Sequence, residues 1–429
     1  MSTRSLEIAQ SIAPDLVALR RRLHRIPEIG LDLPETQAAV LEALDDLDLE
    51  VTLGRALSSV VAVLRGGAAP DGGPRPSVLL RGDMDALPVV EEVEVDYRST
   101  NGAMHACGHD LHVAALVGAA RVLHEQRDEL SGDVVFMFQP GEEAPGGAAP
   151  MIGEGLLEAS GTPVSAAYTF HVYSAEHSLG TWFGRPGPQM AAADEFSARV
   201  VGQGGHGATP HRASDPIPAA CEMVLALQTR VTRGFDVFDP VVVTVGRFAA
   251  GTKDNIIPDD AVFDGTVRTL SAAARTQAIA DIERACRGIA SAHGLEVEIS
   301  WASGAYPVTI NDEAEFEHAR DTVVELFGPD RWVDMANPEL GSEDMAVVLE
   351  HVPGAYLNLS ACATGDPEMA DDNHSPRAAF DDSVVADGAA YLAEVALRRL
   401  AALAPTPPPP PQSPPPQTPS QHTPSQHTE

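Results

Sequence analysis

Four runs of apolar residues stand out along the chain: SVLLRGD (77–83), DVVFMFQP (133–140), SAAYTFHV (165–172) and GAYLNLS (354–360). Each is short and β-rich, and helical patterns separate them, as around Val113–Leu123. Strand runs that alternate with helical periodicity predict an α/β domain with a mostly parallel sheet flanked by helices. At the N-terminus Ile8, Ile12, Leu16, Leu19 and Leu23 recur at helical spacing and predict one amphipathic first helix.

The stretch 187–303 has a different rhythm. A strand in DEFSARVVG, a helix over about 216–230, strands in PVVVTVGRF and AVFDGTVRTL, a helix over about 273–293 and a strand in LEVEISW follow one another. The order β-α-β-β-α-β predicts a ferredoxin-like unit. Because α/β alternation resumes at Asn311, this unit reads as inserted into the larger one. The expected division is a discontinuous catalytic domain, 1–186 and 304–404, an inserted domain, 187–303, and a tail, 405–429. The tail reads PTPPPPPQSPPPQTPSQHTPSQHTE. It lacks the apolar residues to form a core and is expected to be disordered and partly polyproline.

Composition narrows the function class. The 62 acidic residues against 28 basic ones give a formal charge of −34, which repels phosphate backbones and anionic lipid, so neither nucleic acid nor a membrane is an expected partner. No run of about 18 apolar residues is present to span a bilayer. The beginning of the chain shows no secretory pattern. Four widely spaced cysteines, Cys107, Cys221, Cys286 and Cys362, are no disulfide framework and suit a reducing cytoplasm.

Candidate chemistry gathers at the ends of the predicted strands. In MHACGHD, Cys107 and His109 are two apart, and in extended backbone such side chains share one side. Gly108 between them allows a tight backbone path. Glu142 and Glu143 follow DVVFMF directly, and His171 sits near the end of SAAYTF. Asp83 and Asp85 follow SVLL, and His374 comes shortly after GAYLNLS. The carboxyl ends of strands are where open α/β sheets bind ligands. Cys107, His109, Glu143, His171 and His374 are more donors than one catalytic metal needs. A thiolate bridging two metals about 3.5–4 Å apart would use them. The mixed sulfur, nitrogen and oxygen set suits zinc, manganese, nickel or cobalt better than magnesium or calcium. Of the adjacent glutamates one can hold metal while its neighbour takes a proton from the attacking water. Asp83 and Asp85 read either as groups that orient these donors or as caps in the turn before Pro88.

RGDMDALP, GAMHACGHDLHVAAL, FQPGEE, GQGGHGATPH, NIIP, GTVR, GSEDM and NHSP occur in this order. With them the chain, from about Leu19 to Arg398, resembles the aminoacylase-type metallopeptidases. The branch is that of hippurate hydrolases, N-acyl-amino-acid amidohydrolases and plant auxin-conjugate hydrolases. The cysteine of MHACGHD marks this branch. The resemblance implies a dinuclear site held by Cys107, His109, Glu143, His171 and His374, with Glu142 as general base. It further implies that His206 stabilises the oxyanion, that Asn255 and Arg268 bind the substrate carboxylate, and that the protein forms a homo-oligomer through the inserted domain. Two departures are Gly141, where alanine is usual, and Met345, where an aromatic is common.

The function expected is hydrolysis of N-acyl amino acids to a carboxylic acid and a free amino acid. Alternatives are a dipeptidase, carboxypeptidase or deacetylase of the same clan and, from another class, a non-catalytic metal-binding protein.

Overall fold

The computed structural model describes residues 4–69, 75–302 and 304–404; the expected Pro-rich tail lies outside the described residues. The larger of two main sheets has eight strands. In spatial order they are Glu50–Leu53, Val60–Leu64, Asp133–Gln139, Ser77–Asp83, Ala166–Tyr173, Gly354–Ser360, Trp182–Gly184 and Trp332–Asp334. The central four run parallel. They are the four apolar runs of the sequence, and three of them are buried at every residue, as strands covered on both faces must be. Antiparallel pairing begins only outside them.

The helix His109–Glu125 is buried along almost its whole length, against the helices Val384–Leu403 and Ala13–His24. The single predicted N-terminal helix is in fact two, Arg4–Ser11 and Ala13–His24, with Pro14 in the first turn of the second. Proline lacks the N–H that a continuous helix would need there and is at home in a first turn.

The second sheet has the order Val241–Ala250, Asp260–Thr269, Ala192–Val201, Glu296–Trp301, all antiparallel. Its first and third strands in the chain lie in the middle, as in a ferredoxin-like unit. The helices Pro216–Gly234 and Ala272–Ala292, capped by Asp215 and Ser271, cover one face. Asp260–Thr269 alternates buried and half-buried residues. Ala261, Phe263 and Val267 join Met223, Leu227 and Ile282 in a separate core, while Arg268 points to the other face. Gly187–Met190 and Thr309–Asn311 pair antiparallel where the chain passes between the two main sheets.

Candidate active site

Parallel register brings Asp83 beside Gln139, and His171 beside Asn358, at one end of the large sheet. The loops leaving that end carry the candidate donors. Cys107 and His109 do not lie in extended backbone as expected. Gly108 is left-handed (φ +80°) and His109 opens the helix His109–Glu125, so the two side chains converge through a turn. A Cβ on Gly108 would lie 2.3 Å from Val172 Cγ2. His374 is also left-handed (φ +71°), a conformation that costs a β-carbon-bearing residue energy. Its N–H is tied to the Ala106 carbonyl at 2.8 Å.

Hydrogen bonds set the tautomers. His109 Nδ1 lies 2.9 Å from the Asp85 carbonyl and His171 Nδ1 2.9 Å from the Val172 carbonyl. Each Nδ1 therefore carries the proton and each Nε2 presents a lone pair. His171 Nε2 is 3.4 Å from Cys107 Sγ. His374 Nε2 is 3.2 Å from the same sulfur and 3.1 Å from Glu143 Oε1. His109 Nε2 is buried with no hydrogen-bond partner and lies 3.5 Å from Asp83 Oδ2, and His109 converges with Cys107 and Glu143 within 4.8 Å. A buried lone pair without a donor, facing a thiol and a carboxylate, fits a metal ion. The site can therefore hold one.

His112 forms a second cluster with Asp83, His109 and His171, but both its nitrogens are engaged. Nδ1 bonds Asp83 at 2.5 Å, and Nε2 accepts the Val172 N–H at 2.9 Å. It ties the helix to the strand that carries His171. Its spacing three residues after His109 places it on the same helix face, a signal that the sequence reading passed over.

The acids divide by position. Asp85 accepts the N–H groups of Glu142 and Glu143 at 3.0 and 3.1 Å, clasping the FQPGEE loop. Asp83 bonds Arg81 at 2.7 Å. Arg81, fully buried, also reaches Glu343 at 2.8 Å and Asp344 at 3.1 Å. Asp344 in turn accepts from Gln139 and the N–H groups of Gly147 and Ala148. Asp344 of GSEDM thus anchors the loop after Glu143, while Glu343 holds Arg81, roles not read from sequence. Glu142 converges with Glu343 and Asp344. Burial first, then the charges of Glu343, Glu143 and Asp344, hold its carboxyl well above the ordinary range.

A cavity of about 370 Å³ opens over this cluster, lined by Cys107, Glu142, Glu143, His171 and His374 together with Arg268, Tyr306, Ser342 and Glu339. Arg268 comes from the second sheet and donates to Ser342 Oγ at 3.3 Å. His206 and Asn255 do not line it. They sit together on an exposed ribbon in which Gly205–His206 pairs with Ile256–Ile257. His206 is thus held in backbone pairing. The Ala208 N–H donates to its Nδ1 at 3.1 Å, which leaves the proton on Nε2.

The profile of peptidase family M20/M25/M40 matches residues 79–398. The chain belongs to this family. Thermostable carboxypeptidase 2 of Saccharolobus solfataricus is 35% identical over 89% of this chain and 95% of its own length. IAA-amino acid hydrolase ILR1-like 4 of Arabidopsis thaliana is 35% identical over 90% of this chain and 86% of its own. Among solved structures, the Bacillus subtilis YXEP protein, described as a dinuclear metal binding peptidase from the M20 family, superposes with a TM-score of 0.77. It is 30% identical, covering 91% of this chain and 99% of that one. The M20 chain is a metal-dependent hydrolase of amide bonds. No helix among the described residues is long and apolar enough to cross a membrane.

Proposed function

We propose that this M20 enzyme hydrolyses the amide bond of N-acyl amino acids, with two divalent ions bound by Cys107, His109, Glu143, His171 and His374. The observation that carries this reading is the convergence of two imidazole lone pairs and a third imidazole on one thiol and one carboxylate. They meet in a cavity that also receives an arginine from the second sheet. Zinc, manganese, nickel and cobalt all suit that donor set. Divalent ions at such a site polarise the amide carbonyl and bring a water's pKa near neutrality.

The chain's own residues do the rest. Glu142, its carboxyl raised by burial and neighbouring acids, takes the proton from the attacking water and delivers it to the departing nitrogen. Asp85 holds Glu142 and Glu143 through their N–H groups. The Arg268 guanidinium binds the substrate carboxylate by parallel hydrogen bonds. Asn255 assists it, and His206 donates through Nε2 to the oxygen that gains charge. Both lie on the exposed two-stranded ribbon, separate from the second sheet. They act when the inserted domain, 187–303, closes on the catalytic domain, or from a second subunit joined through the edge strand Val241–Ala250.

The test is a hydrolysis panel on metal-stripped and metal-reconstituted protein, comparing hippurate, N-acetyl amino acids, indole-acetyl amino acids and dipeptides. Metal-dependent turnover of the acyl amino acids above the dipeptides is expected. A preference for dipeptides would turn the reading to a dipeptidase, and no metal-dependent turnover at all would refute it.

A further inference from the structure

One corner of the cavity has acceptors and no cation to face them. Glu339 lines the cavity with Tyr173 and Tyr356. Its backbone is fastened to the strand Gly187–Met190 region, N–H to the Gln189 carbonyl at 2.9 Å and carbonyl to the Ala191 N–H at 3.0 Å, so the side chain is held in place. Its carboxylate accepts from the Tyr173 hydroxyl and from Asn358 Nδ2 at 2.9 Å. Both partners are neutral, and among the described residues no arginine, lysine or histidine pairs with it. A second observation is independent of this one. The Tyr356 hydroxyl is fully buried, borders the same cavity and has no hydrogen-bond partner, and Asn358 Oδ1 is unpartnered as well.

A carboxylate withdrawn from water needs an opposite charge or donors. The Tyr356 oxygen, buried and without a partner, can accept an N–H. Arg268, the arginine of this cavity, donates to Ser342 Oγ and makes no ion pair with Glu339. Building on the proposed amidohydrolase reading, we infer that the Glu339–Tyr173–Tyr356 corner selects substrates that carry a protonated amine or guanidinium. Burial, partly offset by the Tyr173 hydrogen bond and reinforced by Glu176, pushes the Glu339 carboxyl up to about 7. A substrate cation would draw it back to the ionised form.

The cation can belong to the amino acid or to the acyl group, and matched pairs separate the two. Nα-acetyl-arginine is compared with Nα-acetyl-citrulline, and 6-aminohexanoyl-glycine with hexanoyl-glycine, by kcat/KM on reconstituted enzyme. The cationic member of at least one pair is expected to lead by about tenfold or more, and Glu339→Gln to bring that ratio toward one. Ratios near one for both pairs in the wild-type protein, which need no variant, would overturn the inference, as would a preference that survives Glu339→Gln. If none of the four compounds is hydrolysed, the wider panel of hippurate and indole-acetyl amino acids decides the amidohydrolase reading separately. Calorimetric binding of arginine against citrulline, and of 6-aminohexanoate against hexanoate, then decides the corner: selective cation binding supports it, and equal or absent binding overturns it.

Discussion

Gly108 is the residue on which the geometry of the proposed metal site turns, and Gly108→Ala tests this directly. The substitution adds one methyl group and no charge. At φ +80° an alanine pays the left-handed backbone penalty of roughly 1–2 kcal/mol. Its Cβ would also lie 2.3 Å from Val172 Cγ2 and 3.1 Å from Phe380 Cε1, and overpacking of a tight core typically costs about 1–3 kcal/mol. Together the loss is about 2–5 kcal/mol. Gly102→Ala is the control, since Gly102 has φ +90° and nothing within 4 Å of its added Cβ; only the backbone penalty applies, about 1–2 kcal/mol. Unfolding free energies of both variants, with metal per chain by atomic spectroscopy, make the comparison. Val172 follows His171, so relief of the clash moves either the strand end or the Cys107–His109 turn. Gly108→Ala should therefore also lose metal and activity, while Gly102→Ala keeps both. Equal destabilisation of the two variants, or full metal in Gly108→Ala, would refute the steric argument.

Glu142→Gln keeps shape and removes the base. We expect kcat to fall about 10²–10⁴-fold with metal content intact; an emptied site would exchange the roles of Glu142 and Glu143. In metal-stripped protein, hydrogen bonds to Cys107 and then Glu143 push the His374 imidazole up to about 10 from 6.5. A raised folded-state value means that this contribution to stability is complete below about pH 6.5 and is lost as pH rises toward 10. Imidazole NMR should find His374 protonated at pH 8 and the value lowered in Cys107→Ala, and an ordinary titration in the unsubstituted protein would contradict the contacts. Esterified substrates should be poor, and Arg268→Ala should narrow the gap between acid and methyl ester; equal turnover of both by the intact enzyme would remove Arg268 from carboxylate binding. His206→Ala should keep metal and fold but lose about 10²–10³ in kcat. Rescue on mixing it with Glu142→Gln protein would mean that the histidine acts across subunits, and a normal kcat would exclude it from the mechanism.

The sequence alone determined the four central strands, the β-α-β-β-α-β order of the second sheet and the candidate donors Cys107, His109, Glu143, His171 and His374. Period-two and continuous apolar patterns, and donors beside them, are local properties that survive in a string of residues. What it left open was set by pairings between residues far apart in the chain. Arg81 meets Glu343 and Asp344, 262 and 263 positions away. His112 becomes a fastening because the Val172 N–H, 60 positions on, occupies its free nitrogen. The turn at Gly108 replaced the expected extended backbone because the helix packed behind it starts at His109. Arg268 reaches the cavity, and His206 does not, because strand register points one toward the open face of its sheet and sets the other on a separate ribbon. Side-chain identity is carried by the chain. Which donor finds which acceptor depends on where the packed sheets bring distant segments together, and that only the tertiary structure decided.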